Sequence, residues 1–170
     1  MKIVQVITRM ILGGAQEHVL LLCEGLQRRG HEITLITGPP IGPEGQLMDR
    51  ARAGGYPVIE VPSLRRAINP FHDWPAYRRL RALIADLAPD IVHTNSAKAG
   101  ILGRRAAGRI REQLAQTCCP RVEKFKQAQI ASIGRPRIIH TIHGLAFHPY
   151  QNKWLNRMYI ASERSVARHT

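Results

Sequence analysis

Short apolar, β-branched runs alternate with longer helical patterns along this chain. Ile3 to Thr8, Ile33 to Thr37, Val58 to Val61, Ile91 to Thr94 and Ile138 to Ile142 read as strands. They are nearly continuous apolar runs rather than strict alternations, as expected of parallel strands covered on both faces. After the first run, Ala15, Val19, Leu22, Cys23 and Leu26 recur at helical spacing, and Gly30 follows as a stop signal. Tyr77, Leu80, Ile84 and Leu87 repeat that spacing and end just before Pro89, and Leu155, Met158, Tyr159 and Val166 give a last amphipathic helix. Strand–helix–strand repetition implies an α/β fold: a Rossmann-like, doubly wound parallel sheet of about five strands, with right-handed crossovers and helices on both faces. Ligands of such sheets sit beyond the carboxyl ends of the strands, where strand order reverses. One stretch breaks the rhythm. From about Gly108 to Gly134 the chain is polar and basic, with Pro120 inside a weak helical pattern, and residues 108–134 read as a surface insertion.

Composition narrows the class. A chain of 170 residues suggests one domain and is long enough to bury a real core. A hydrophobic fraction of 44% excludes wholesale disorder. No apolar run approaches the roughly 20 residues that cross a bilayer. The opening Met1-Lys2-Ile3-Val4-Gln5-Val6-Ile7 could pass for a signal peptide, but Gln5 and Arg9 interrupt it and no small-residue cleavage site follows. A buried first strand and a cytoplasmic protein are the expectation. Cys23, Cys118 and Cys119 lack metal-ligand spacing. Cys23 falls on an apolar helix face as a small buried thiol, and the adjacent pair offers redox chemistry but no disulfide framework. The net charge of +13 favours an anionic partner, whether membrane, nucleic acid or phosphate-bearing substrate, and a solvated basic face accounts for the same number.

The residues that follow each strand carry the candidate chemistry. After the first come Gly13, Gly14, Ala15, Gln16, Glu17 and His18, opening a helix. Paired glycines let the backbone approach a ligand, and a helix N-terminus offers N–H groups and partial positive charge to an anion; a plain tight turn uses the same residues. This is not the G-x-G-x-x-G dinucleotide fingerprint, and no acidic residue closes the second strand to grip a ribose. After the fourth come Asn95, Ser96 and Lys98. A lysine in the first turn of a helix opposes the dipole by a few tenths of a kcal/mol to about one, so Lys98 is expected to serve a ligand or a neighbouring acid. After the fifth comes His140-Thr141-Ile142-His143-Gly144. His140 and His143 lie on opposite faces of an extended strand, and with His148 they form no closed zinc set at familiar spacing. His143, beside Gly144 at the strand's carboxyl end, is the better placed to meet a substrate; a satisfied structural histidine is the plainer reading. No nucleophile elbow or Walker A sequence occurs, which leaves hydrolase and P-loop readings without their core signal.

At these positions the sequence resembles the N-terminal domain of family 4 glycosyltransferases, which have two Rossmann-like halves in the GT-B architecture. The residues that carry the resemblance are Gly13-Gly14-Ala15, Ile68-Asn69-Pro70 with His72-Asp73, Pro89-Asp90-Ile91-Val92-His93-Thr94, Ser96-x-Lys98-Ala99-Gly100-Ile101-Leu102-Gly103-Arg104, and His140-Thr141-x-His143-Gly144. The resemblance covers nearly the whole chain outside 108–134. It implies retaining transfer of a sugar from a nucleotide-sugar donor to a polysaccharide or lipid-linked acceptor, with no metal or other cofactor. In such enzymes the N-terminal half shapes the acceptor site. The Gly13-Gly14 loop would lie against the donor phosphates and the reacting sugar. His143 would be the catalytic contact to that sugar, with Gln16, Asn95, Ser96, Lys98 and Gly144 binding substrate.

The family grips the nucleotide mostly with a second, C-terminal domain that carries an E-x7-E pair, and that domain is expected beyond Thr170. Glu24 and Glu32 match the spacing but straddle a helix end and a strand start, an accidental match. These 170 residues alone are therefore expected to have negligible activity, as a fragment or as one subunit of a split two-chain enzyme. A non-enzymatic anion-binding module is the alternative. Arg78-Arg79-x-Arg81 and Arg104-Arg105 on predicted helices suit an anionic membrane at the inner face of the cell, at about 1 kcal/mol per near-surface charge. Nucleic acid is disfavoured, because the basic residues are scattered, aromatics are only 5% and no recognition motif occurs.

Overall fold

Five β-branched runs pair side by side and in parallel. The computed structural model describes residues 1–118 and 136–170. Strands β1 (Lys2–Ile7), β2 (Glu32–Thr37), β3 (Val58–Glu60), β4 (Ile91–Asn95) and β5 (Arg137–Thr141) form one sheet in the order β3-β2-β1-β4-β5. The helices are α1 (Gly14–Arg28), α2 (Met48–Ala53), α3 (Pro70–Leu87), α4 (Ala97–Cys118) and α5 (Lys153–Ala167). Strand order reverses between β1 and β4, so the carboxyl ends of those two strands flank the crevice of a doubly wound sheet.

Alternation along β1 divides the core. Ile3 and Ile7, with Ile33 and Leu35, meet Val19, Leu20 and Cys23 of α1 and Met48 and Ala51 of α2. Val4 and Val6, with Ile36, Val92 and Ile138, meet Leu80 and Ile84 of α3 and Ala99, Ala106 and Ile110 of α4. Each large side chain buried in these layers contributes roughly 1.5–3 kcal/mol. Burial pushes the Cys23 thiol up to about 12, so it serves as a small hydrophobe and not as a nucleophile.

Helix α4 lies close on β4 and β5 because Gly100 and Gly103, where it meets them, lack side chains. A Cβ on Gly103 would come within 2.7 Å of Thr94 Cγ2, and one on Gly100 would strike the His140 ring. The run Ala99 to Gly103 is thus a packing surface against the sheet. The surface insertion expected over 108–134 begins too early. Residues 108–118 continue α4, with Ile110 in the core and Gly108 pressed against the ring of the buried His169. The rest of that stretch, with Cys119, falls outside the described residues.

Helix α3 starts earlier than its apolar spacing indicates. Asn69 caps it, its Oδ1 accepting from Phe71 N at 2.9 Å, and Asp73 Oδ2 accepts in return from Asn69 N at 3.2 Å. The reciprocal bonds satisfy amides at the helix start from both sides, and Pro70 takes the position where a missing N–H costs nothing. The helix ends at Ala88 in the left-handed region, φ 44°. A side chain there strains the backbone, and glycine relieves it. Ala88→Gly is predicted to stabilise the protein by about 0.5–1 kcal/mol, read as a higher midpoint of urea unfolding; an equal or lower midpoint contradicts the assignment.

Candidate functional site

A cavity of about 570 Å³ opens at the reversal of strand order. Its floor is Thr8 and Arg9 after β1 and Ser96 and Lys98 after β4. The turn before α3 supplies Arg66 and Ile68, the loop after β5 supplies Gly144 and Leu145, and α5 closes one side with Met158, Tyr159 and Ser162. The lining thus combines the cations Arg9, Arg66 and Lys98 and the carboxylate of Asp73 with apolar side chains such as Ile68, Ile101, Leu145 and Met158. Of the residues singled out from sequence, Gln16, Ser96, Lys98 and Gly144 line this cavity. Gly13 and Gly14 form the cap and first residue of α1 beside it, with Gly13 O accepting from Gln16 N at 3.1 Å. Asn95 is fully buried beneath it. His143 stands next to Gly144 on the α1 side, its ring edge-on to His18 with centroids 5.4 Å apart.

Lys98 has a neighbouring acid. Its ammonium pairs with Asp73, the same carboxyl group that accepts from Asn69 N at the start of α3, and donates to Ala67 O. Both side chains are mostly out of solvent, and this ion pair ties the N-terminus of α4 to that of α3. The cost of a lysine at a helix start is offset here. Lys98→Met and Asp73→Asn are each predicted to destabilise by about 1–3 kcal/mol. The double variant should lose less than the sum of the two. Additive losses in denaturant unfolding contradict a direct pair.

Ser96 adopts φ 66° between β4 and α4, held by its N–H to Thr141 O at 3.3 Å and its carbonyl to Gly100 N at 2.7 Å. Left-handed backbone at a residue other than glycine costs on the order of 1–3 kcal/mol and concentrates at ligand sites. Here it falls on the cavity wall.

Below the cavity runs a buried polar chain that joins β1, β4 and β5. Gln5 Nε2 lies 3.2 Å from His93 Nδ1, and His93 Nε2 lies 2.7 Å from Thr141 Oγ1. Asn95 Nδ2 donates to Gln5 Oε1 at 3.0 Å, and Asn95 Oδ1 lies 3.0 Å from His143 Nε2. On the other face, His140 Nδ1 contacts Thr94 Oγ1 at 3.0 Å. Burial holds His93 down at about 4, helped by repulsion from His140, His18 and His143. His143 is lowered by desolvation and then by His18, and His140 by desolvation and then by Arg104. Among the described residues no three His, Cys, Asp or Glu side chains are grouped to hold a metal ion.

These lowered values have a sign. Between about 4 and the ordinary 6.5, an unfolded chain takes up a proton at His93 that the folded one refuses. Stability is then complete above that window and falls as pH drops through it, by up to about 3 kcal/mol from His93. His140 and His143 act in the same direction. Denaturant midpoints measured across the window check this, and the slope should flatten in His93→Gln; an unchanged slope counts against it.

Two expectations need correction or completion. Arg104 was expected on a membrane-facing surface, but it is only 4% exposed. Its guanidinium pairs with Glu163 of α5 and its Nε donates to Gly100 O at 3.0 Å, so it fastens α5 to α4. Gln5, Arg9 and Arg66 were not singled out from sequence. A glutamine inside an apolar strand run is a signal for the first; nothing in the pattern marks the arginines. The Glu24 and Glu32 pair is accidental: Glu24 binds Arg50 at 3.3 Å, and Glu32 stands 4.0 Å from Lys2 at the amino end of the sheet.

A family model described as a glycosyl transferase 4-like domain matches residues 13–170. The chain belongs to that family. It is 32% identical over 158 residues to the UDP-Gal:alpha-D-GlcNAc-diphosphoundecaprenol alpha-1,3-galactosyltransferase of Escherichia coli, covering 93% of this chain and 34% of that protein. The chain thus spans about a third of the length of this curated relative. Among solved structures, sucrose-phosphate synthase from Thermosynechococcus elongatus superposes with TM-score 0.56 at 15% identity, over 97% of this chain and 39% of that one. MurG from Acinetobacter baumannii gives 0.52 at 15%, over 89% and 44%. UDP-GlcNAc 2-epimerase from Methanocaldococcus jannaschii gives 0.55 at 10%, over 96% and 37%. These establish the GT-B Rossmann-like fold of the glycosyltransferase domain. One of them is an epimerase, so the fold alone does not choose the reaction.

Proposed function

We propose that this chain is the acceptor-side half of a retaining glycosyltransferase, moving a sugar from a nucleotide-sugar donor to a lipid-linked or polysaccharide acceptor. The observation that carries the reading is the cavity at the β1/β4 reversal, whose lining brings arginines and apolar side chains together. A diphosphate-linked sugar on a polyprenol, the acceptor type named for the Escherichia coli relative, likewise joins anionic to apolar groups. Arg9 and Arg66 supply positive charge, and Ile68, Leu145 and Met158 supply apolar wall; His143 is outside that lining and adjoins it through Gly144, from where it would contact the sugar being transferred. Gly13 and Gly14 lie where the donor's phosphates would approach α1.

On this reading no metal is required. The departing diphosphate is stabilised by fixed cations and N–H groups on both walls of a closed cleft. The second wall belongs to the donor domain that such enzymes carry. With one wall only, water enters and each charge interaction weakens several-fold. The test is transfer of labelled sugar, with UDP-galactose as first donor, to a GlcNAc-diphospholipid. These 170 residues alone should give none, the same residues joined to a donor domain should give turnover, and His143→Ala should lower it at least a hundredfold. Turnover by the 170 residues alone, or full activity in His143→Ala, sinks the assignment.

A second element of the reading concerns the membrane. No described helix is long and apolar enough to cross one. Phe71 and Trp74 stand exposed at the start of α3, ahead of Arg78 and Arg79, and Trp154 stands exposed at the start of α5 with Arg157 over its ring at 5.7 Å. Aromatic groups beside cations suit an anionic bilayer surface. Co-sedimentation with vesicles containing anionic lipid should exceed that with neutral vesicles and fall in Trp74→Ser; equal binding to both contradicts it.

A further inference from the structure

Gln5 sits in the middle of β1, fully buried, in a run otherwise apolar except for its ends. A buried amide without partners costs on the order of 1–3 kcal/mol, so its atoms must be satisfied inside the sheet. They are, and the manner of it fixes a direction. Asn95 Nδ2, besides donating to Gln5 Oε1, faces the carbonyl oxygens of Val6 and His93, each at 3.4 Å. Main-chain carbonyls only accept, so these long contacts mark the side of the Asn95 amide nitrogen, the 3.0 Å bond to Gln5 is the one that holds it there, and Oδ1 turns to His143. His143 Nε2 must then carry the proton of that 3.0 Å contact. Since Gln5 accepts through Oε1, its Nε2 donates to His93 Nδ1, and His93 Nε2–H donates to Thr141 Oγ1. The bonds run one way, from His143 through Asn95, Gln5 and His93 to Thr141. Chains of this kind strengthen each member by polarisation, and a break at one end is felt along the rest.

We propose that Gln5 and His93 are positioning residues for His143: acting through Asn95, they hold its ring in the Nε2–H tautomer and leave Nδ1 as the nitrogen able to accept from a ligand. Neither residue lines the cavity. Gln5 is enclosed in the sheet and His93 is its register partner on β4. Of the titratable groups around the chain, His18 stands against His143, and His140, on the other face of the sheet, acts on His93 through charge repulsion. The tautomer follows from the hydrogen-bond directions alone; its use in sugar transfer rests on the functional reading above.

Ring-nitrogen NMR spectra of the 170-residue chain, at a pH where His143 is neutral, test this directly. Wild type should show His143 in one form, with Nε2 protonated and Nδ1 bare. Thr141→Val keeps the shape and β-propensity of a half-exposed strand end and removes only the last acceptor. His93 then loses the partner of its Nε2–H, and the Nδ1–H form of His143 should become populated, drawing its two nitrogen shifts together. Gln5→Met should do the same more strongly; if it fails to fold, Thr141→Val carries the test. A wild-type Nδ1–H tautomer, or unchanged His143 shifts in folded Thr141→Val, overturns the relay. Transferase loss in the complete enzyme with the tautomer unmoved would overturn the relay and leave the functional reading intact. A moved tautomer with full transfer would support the relay and remove His143 from the reaction.

Discussion

The parallel pairing of β1 with β4 is the constraint from which the site follows. Its register sets Gln5 opposite His93 and Ile7 opposite Asn95. A slip of one residue would put Gln5 on one face of the sheet and His93 and Asn95 on the other, leaving one side of the polar chain among the leucines and alanines of α3 and α4. It would also separate the loop after β1 from the start of α4, which together make the cavity floor. The apolar residues on both faces enforce the register, because slippage would exchange two differently filled layers. The buried polar chain adds directional bonds to the same pairing, so the fold and the site are specified by one interaction.

Around that pairing the cavity walls are fastened from three sides. The Lys98–Asp73 pair joins the N-termini of α4 and α3, Arg104 with Glu163 joins α4 to α5, and His143 joins the loop after β5 to Asn95. The polar groups of the site are held by other polar groups, in mostly buried surroundings where each interaction is strong and each orphan costly. Such a site is preorganised, which is what stabilising a charged leaving group asks of a protein.

Much of this was legible in the sequence, for physical reasons. Parallel strands covered on both faces read as continuous apolar runs, and all five were placed within a residue or so of their observed bounds. Residues after the strands named Ser96 and Lys98, half of the cavity floor, since the sheet puts ligands there. What escaped has equally plain causes. Helix α2 spans only Met48–Ala53 and buries two side chains, too few for a periodic signal. Pro70 and Pro75 disguised the start of α3, although Asn69 followed by Pro70 is an N-cap and first-turn signal. Gly108 looked like the edge of a loop, whereas His169 requires it bare inside α4. Lys98 announced an acid or a ligand but not which acid, because Asp73 lies 25 residues away in sequence. Gln5 was read only as an interruption of a signal peptide; its role depends on His93 and Asn95 arriving from a strand 88 and 90 residues on.

The central claim is that these residues form an acceptor wall able to recognise its ligand before any donor domain joins it. Titrating the 170-residue chain with a short-chain GlcNAc-diphospholipid, while following backbone amide shifts, tests that most directly. The account predicts saturable shifts confined to the residues after β1 and β4 and to the loop of Gly144 and Leu145, weakened in Arg66→Ala. Shifts absent at these positions, or spread evenly over the basic surface, would contradict it.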